Sequence, residues 1–188
     1  MGNFHGPSTM DHRPTYTIIA STNRPGSNTL KVAKQYQILM REAGIEAKLL
    51  SLEVLNGVPI IDVDMYDEQH PVLKQIQEEY LSADKLVMIV PEYNGSAAGI
   101  TKLFIDATDV KHYWNHKKIC LVGVADGRGG NLRGLEHLSG LMLHMKMNVF
   151  HLRQPLAQIS NELDENGIFK NEGTIKMLRA QIEAYKAF

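Results

Sequence analysis

Short apolar runs and longer helical patterns alternate along the chain from about residue 15 to its end. Five runs have the length and the β-favouring content of strands, and they span residues 15–20, 47–52, 85–90, 118–124 and 148–152. The third and fourth runs are almost continuously apolar after a first lysine, which is typical of strands that are covered on both faces.

The helical segments show apolar residues at intervals of three and four positions. Gly44 stands where the first helix should end, and Pro71 stands where the second should begin. Five helices are predicted. The first begins at about residue 29 and the second at residue 71, while the third and fourth span residues 97–108 and 132–145. The fifth, near the end of the chain, carries Ile175, Leu178, Ile182 and Tyr185.

The repeated order of strand and helix predicts a parallel sheet with helices on both faces and right-handed crossovers. In open parallel sheets, ligands bind at the carboxyl ends of the strands. Three predicted strands end in loops rich in glycine, asparagine or hydroxyl groups, at 21–29, 91–96 and 125–131. We therefore expect these three loops to meet around one ligand.

The first loop, Ser21-Thr22-Asn23-Arg24-Pro25-Gly26-Ser27-Asn28-Thr29, has the composition of an anion-binding turn. A helix N-terminus leaves N–H groups unpaired and carries a partial positive charge, and Arg24 adds donors suited to a phosphate. An ordinary turn with a Ser or Asn cap has the same composition. The loop matches neither the Walker-type phosphate loop nor the three-glycine dinucleotide fingerprint.

The second loop, Pro91-Glu92-Tyr93-Asn94-Gly95-Ser96, contains a strong turn pair, Asn94-Gly95. A turn there directs backbone N–H groups outward, where they suit the carbonyls and ring nitrogens of a planar heterocycle. Glu92 and Tyr93 are also compatible with capping or packing. The two loops together indicate a nucleotide-like ligand with a flat ring.

Both loops, the Gly129-Gly130 pair of the third loop, and the run Lys102-Leu103-Phe104-Ile105-Asp106 resemble the NADPH-dependent FMN reductase family. That family includes azoreductase-like, quinone reductase and chromate reductase members. The resemblance extends from Tyr16 to about Leu152. It implies a flavodoxin-like fold, a three-layer α/β/α sandwich around a five-stranded parallel sheet in the order 2-1-3-4-5.

The resemblance also implies a set of cofactor-binding residues. The FMN phosphate would be held by Ser21, Asn23, Arg24, Ser27, Asn28 and Thr29. The edge of the isoalloxazine ring would be lined, mostly through main chain, by Pro91, Glu92, Tyr93, Asn94 and Gly95, and approached from the other side by Asp126 and Gly127. Two positions depart from the family pattern, since Ser21 stands where glycine is frequent and Ala107 where tryptophan is frequent.

The activity that the resemblance implies is an NAD(P)H-dependent oxidoreductase with bound FMN. NADPH or NADH would pass hydride to FMN, and a quinone, azo compound, flavin or metal ion would then be reduced in a ping-pong cycle. The flavin would supply the chemistry, so no catalytic side chain is named. Family members are usually dimers or tetramers, and we expect a homodimer or homotetramer.

Two alternatives stay open. A flavodoxin-type electron carrier would bind FMN without a nicotinamide site, but such carriers are usually strongly acidic and this chain has a net charge of −1. A flavin-linked sensor would act instead by contacting a partner protein.

Composition narrows the possible classes of protein. The net charge of −1 over 188 residues argues against non-specific nucleic-acid binding, and no apolar stretch approaches the roughly 20 residues of a membrane helix. A single cysteine, Cys120, fits a cytoplasmic protein without internal disulfides, and its apolar neighbours predict a buried thiol. The polar residues 1–14 predict a flexible extension, so that 15–188 would form one FMN-binding domain.

No metal site is predicted. The histidine pairs spaced four and seven residues apart lack a third ligand, and the acidic positions within 62–67 indicate a solvated turn. The segment 111–117 is predicted to be an exposed connection or an interface edge. No Gly-x-Ser-x-Gly elbow indicates a hydrolase.

Overall fold

The structure, a computed structural model, describes residues 13–58 and 70–188. The described strands are β1 Tyr16–Ala20, β2 Ala47–Ser51, β3 Lys85–Pro91, β4 Lys118–Val124, β5 Asn148–Val149 and β6 Gln154–Leu156. The described α-helices are α1 Asn28–Glu42, α2 Pro71–Ile76, α3 Gly99–Asp106, α4 Val110–Tyr113, α5 Leu132–His144, α6 Ile159–Glu162 and α7 Glu172–Ala187. A 3₁₀ segment, Leu52–Leu55, follows β2, and a π-helical segment, Gln77–Leu81, continues α2.

The strands form one parallel sheet in the order β2-β1-β3-β4-β5, which confirms the predicted flavodoxin-like topology. Every residue of β3 is buried, and so is every residue of β4 after Lys118. These two strands therefore lie in the middle of the sheet with both faces covered, as their apolar composition predicted.

The fifth position of the sheet is shared by two short strands. β5 pairs with the first two residues of β4, and β6 pairs with its last three. The prediction of one strand over 148–152 is therefore wrong in extent. Phe150 leaves the ladder after its N–H bonds to the carbonyl of Ile119, and its side chain packs against the rings of Tyr185 and Phe188.

Two apolar clusters cover the two faces of the sheet, which gives the three layers. One contains residues of α2, α3 and α5, and the other contains residues of α1, α6 and α7. In α1, α5 and α7, the apolar residues that are spaced three and four positions apart supply these buried side chains. Cys120 lies in the second cluster and is fully buried, as predicted, and burial raises the pKa of its thiol to about 12.

The segment 111–117 is not wholly exposed, because Trp114 has 0% exposure. Its indole N–H donates to the hydroxyl of Thr108 at 3.0 Å, and its ring lies edge-on to that of Phe104. The prediction of an exposed connection is therefore wrong at this residue, although Lys111 and His112 are exposed. Ala107 belongs to the same apolar cluster and is 4% exposed.

The described residues contain neither a helix that could cross a membrane nor a cluster of potential metal ligands. None of the described helices combines the length and the apolar content needed to cross a membrane. The described part of the chain also holds no group of three or more His, Cys, Asp or Glu side chains that could ligate a metal. The predicted acidic turn within 62–67 and nearly all of the predicted extension, residues 1–12, lie outside the described residues.

Candidate functional site

The carboxyl edge of the sheet brings the three predicted loops together around one cleft of about 280 Å³. The predicted residues that line it are Arg24, Ser27, Asn28, Thr29, Pro91, Glu92, Tyr93 and Asp126. The remaining lining residues are Pro25, Gly26, Val124, Ala125 and Ile159. The expectation that separate loops share one site is therefore met in the geometry.

The first loop ends in a helix N-terminus that faces the cleft. Ser27 is the N-cap of α1, and its hydroxyl accepts the N–H of Leu30 at 3.1 Å. The first helical bond runs from the N–H of Lys31 to the carbonyl of Ser27. The N–H groups of Asn28 and Thr29 precede that bond and have no partner among the described residues, and both residues line the cleft. The first turn contains no acidic residue that would oppose an anion.

Arg24 supplies the positive charge of this loop. Its side chain is exposed, lines the cleft, and has no hydrogen-bond or ion-pair partner among the residues that the structure describes. Gly26 follows with φ of +63°, a conformation that lets the backbone turn from the strand into the helix. Arg24 is therefore available to an anion held at the start of α1.

The second loop is a tight turn at the end of β3. Tyr93 and Ser96 exchange backbone hydrogen bonds of 2.8 and 3.0 Å, and the central residues Asn94 and Gly95 both have positive φ, at 53° and 75°. These are the features of a type I′ turn, for which Asn-Gly is the preferred pair. The N–H of Glu92 bonds to the carbonyl of Val124, which attaches the loop to the end of β4.

The third loop places an oriented carboxylate at the cleft. Asp126 is exposed, and one of its carboxylate oxygens accepts both the N–H and the hydroxyl of Ser160, at 3.1 and 2.6 Å. Ser160 in turn accepts a long, 3.5 Å bond from the amide of Asn28 in the first loop. Ser160 thereby connects α6 with two of the three loops.

Five predicted residues do not line the cleft. The hydroxyl of Ser21 donates to the carbonyl of Ile89 at 2.9 Å, and the residue is 0% exposed, so this side chain belongs to the sheet. Asn23 pairs through its side-chain amide with Asn56. The remaining three are Asn94 and Gly95, at the tip of the turn, and Gly127, whose carbonyl accepts the N–H of Gln158.

Three residues that matter to the geometry were not among the predicted site residues. Thr22 contacts the second loop, Ser160 orients Asp126, and Asn131 caps α5 while donating to the carbonyl of Val90. The sequence marked Thr22 and Asn131 only as members of polar loops. Ser160 lies on a four-residue helix that shows no periodicity, so no sequence signal pointed to it.

Known proteins resemble this chain over most of its length. An NAD(P)H-dependent FMN reductase of Pseudomonas aeruginosa is 26% identical over 167 residues, which cover 84% of this chain and 89% of that protein. A 2-hydroxy-1,4-benzoquinone reductase of a Burkholderia species is 27% identical over 141 residues, or 71% of this chain and 75% of that protein. The structure of a flavoenzyme NAD(P)H:(acceptor) oxidoreductase from Paracoccus denitrificans aligns with a TM-score of 0.75 at 21% identity, over 93% of this chain and 96% of that one.

The family assignment rests on a match to nearly the whole chain. The model of the NADPH-dependent FMN reductase family matches residues 14–187, a range that includes all three loops of the cleft. The predicted resemblance is thereby confirmed, together with the prediction of an oxidoreductase that works with FMN and NAD(P)H. The chain belongs to the NADPH-dependent FMN reductase family.

Proposed function

We propose that this protein uses NAD(P)H to reduce a quinone through FMN bound in the cleft, in a ping-pong cycle. One observation carries the proposal: Asn28 and Thr29, whose N–H groups precede the first helical bond of α1, line the same cleft as residues 91–93 of the second loop. The choice of a quinone over an azo compound, a flavin or a metal ion is supported by the benzoquinone reductase among its relatives.

The residues of the cleft fit FMN at both of its ends. A phosphate group would accept from the N–H groups of Asn28 and Thr29 and pair with the guanidinium of Arg24, with Ser27 and Asn28 side chains beside it. The hydroxyl of Ser21 would not donate to the phosphate, because it already donates to the carbonyl of Ile89. The ring would lie along Pro91, Glu92 and Tyr93, and Asp126 would border it from the third loop.

FMN, when bound, takes up hydride from NAD(P)H and delivers the reducing equivalents to the acceptor. The protein binds and orients the cofactor and offers fixed donors. The N–H groups of Asn94 and Gly95, at the tip of the turn, bond to no group in the described part of the chain, but neither residue lines the cleft, so we assign them no role toward the ring. We assign no side chain to acid or base catalysis.

The domain, the compartment and the oligomeric state belong to the same proposal. We propose one FMN-binding domain over residues 15–188, acting in the cytoplasm as a homodimer or homotetramer. The buried, lone thiol of Cys120 supports a reducing compartment. Partly exposed apolar residues of α3 and α5, such as Ile100, Leu103 and Leu141, support an association surface.

The decisive experiment combines a spectrum with a turnover assay. We expect the purified protein to bind FMN and turn yellow, and to bleach rapidly with NADPH or NADH under anaerobic conditions. Addition of a benzoquinone should restore the colour repeatedly, and initial rates should give parallel double-reciprocal lines. A bound flavin that stays oxidised would favour a carrier or sensor, and a colourless protein that ignores added FMN would refute every flavin-based function.

A further inference from the structure

Thr22 belongs to the first loop, yet its hydroxyl contacts the second. The Thr22 Oγ1 atom lies 3.0 Å from the phenol oxygen of Tyr93 and also accepts the backbone N–H of Arg24 at 3.2 Å. Thr22 is 1% exposed, so this oxygen is held in a nearly dry environment. One atom therefore joins the backbone beside Arg24 to the aromatic side chain of Tyr93.

Tyr93 needs such a contact because the rest of its side chain is loosely confined. It is 38% exposed although it lines the cleft. Its backbone is fixed by the two bonds with Ser96, but these do not set the direction of the ring. The hydroxyl of Thr22 is the one hydrogen-bond partner that the phenol has among the described residues. Without it, the ring could swing into solvent or into the cleft.

We propose that Thr22 is a positioning residue that holds Tyr93 as a wall of the ring end of the cleft, and so couples ring binding to the first loop. This inference rests on the proposed function, because it takes the cleft to be the FMN site. Thr22 itself does not line the cleft, so its effect passes through Tyr93 and through the N–H of Arg24.

The two contacts of Thr22 predict different effects on two ligands. Riboflavin has the same ring as FMN but lacks the phosphate, so it reports on the ring end alone. If Thr22 acts through Tyr93, removal of its hydroxyl weakens riboflavin as well as FMN. If it acts only on the backbone of the first loop, the loss is confined to FMN.

The experiment measures dissociation constants of FMN and riboflavin by flavin fluorescence for four variants. Thr22→Val keeps the shape and removes the hydroxyl, Thr22→Ser restores it, Tyr93→Phe removes the other partner, and the fourth variant combines Thr22→Val with Tyr93→Phe. We expect the first and third to weaken riboflavin about three- to tenfold, the range of a neutral hydrogen bond. The double variant should lose no more riboflavin affinity than Thr22→Val alone, and Thr22→Ser should bind like the wild type.

A matched control tests for a general loss of stability. Thr174→Val also removes a threonine hydroxyl with a hydrogen-bond partner, Glu162, in the first turn of α7. It should leave both dissociation constants unchanged, and thermal unfolding should show that every variant is folded at the assay temperature.

The outcomes separate this inference from the proposed function. Riboflavin affinity that is unchanged in Thr22→Val, or losses that add fully in the double variant, would overturn the role of Thr22 while wild-type FMN binding stands. A wild-type protein that binds neither flavin would overturn the proposed function and this role together.

Discussion

The side-chain amide of Asn131 donates to the carbonyl oxygen of Val90 at 3.0 Å, across 41 positions of the chain. Asn131 is 1% exposed and has a left-handed backbone with φ of 65°, and its side-chain oxygen accepts the N–H of Gly134. One side chain therefore caps α5 and attaches the third loop to the end of β3, directly before Pro91. The contact thus joins the second and third loops, both of which contribute residues to the cleft.

Asn131→Ala should lower the free energy of unfolding by about 1–3 kcal/mol, because a helix cap and a buried hydrogen bond are lost together. Asn131→Asp should be no better, since a carboxylate accepts from Gly134 but cannot donate to Val90. Chemical denaturation measures both. Asn148→Ala is the matched control, because Asn148 donates to the carbonyl of His116 at an exposed site, where the loss should be smaller. Equal losses at the two sites would contradict the role of Asn131.

Arg24→Ala should weaken FMN by about 1.5–3 kcal/mol, the usual contribution of a hydrogen bond to a charged group. Isothermal titration with FMN measures the change, and riboflavin should show little of it because it lacks the phosphate. Arg41→Ala, at the other end of α1 and paired with Glu46 at 3.6 Å, should bind FMN like the wild type. Unchanged FMN affinity in Arg24→Ala would mean that Arg24 faces another ligand, such as the phosphates of the nicotinamide cofactor.

Gly123→Ala should destabilise the protein by about 1–3 kcal/mol, because its new methyl group would lie 2.2 Å from the carbonyl oxygen of Gly130. Gly130 cannot retreat easily, since its own backbone is packed against Pro155 and has φ of 55°. Gly140→Ala is the opposite case on the neighbouring helix α5. That position is exposed and open, and alanine should stabilise the helix there by about 0.5–1 kcal/mol. Thermal unfolding compares the two variants. A Gly123→Ala variant that is as stable as the wild type would contradict the close approach of Gly123 to Gly130.

The Cys120 thiol should resist thiol reagents in the native protein and react after unfolding. Burial raises the pKa of this thiol from 9.0 to about 12, against a smaller, opposing effect of the nearby Tyr36 hydroxyl. As pH rises, the thiol ionises in the unfolded protein before it ionises in the folded protein. The contribution of Cys120 to the free energy of unfolding is therefore complete below about pH 9 and is lost as the pH approaches 12. Urea denaturation at several pH values measures this slope, which should decrease in Cys120→Ala. Burial also raises the pKa of Tyr36 and Tyr185, so part of the slope should remain. Equal labelling of native and unfolded protein would refute the burial.

Most strands and helices could be predicted from the spacing of hydrophobic residues. The central strands bury continuous apolar runs, and the long helices bury one apolar face. The exceptions involve residues whose environment is set by distant partners. Trp114 stands among polar neighbours in sequence, and its burial comes from tertiary packing in the apolar cluster, where its indole N–H bonds to Thr108 and its ring contacts Phe104. The fifth strand breaks because Phe150 packs on the C-terminal aromatic residues rather than staying in the ladder.

The candidate site was predictable in its location and only partly in its membership. The composition of a loop shows how many hydroxyl and amide groups it carries, but not which of them form hydrogen bonds with the sheet or with another loop. Ser21 and Thr22 illustrate this, since adjacent hydroxyls turn to Ile89 and to Tyr93. Positive φ at Asn94 and Gly95 was foreseeable from the turn pair, whereas the same conformation at Asn131 depends on its partners 41 positions earlier and three later.

The divided fifth position of the sheet has a consequence for how the molecule behaves at high concentration. A long, continuous edge strand presents unpaired backbone groups on which a second chain can build. Here that border consists of two- and three-residue pieces, and the second contains Pro155, which has no N–H to offer. The interruption thus limits sheet-to-sheet aggregation on this side, where an unbroken strand over 148–156 would have invited it.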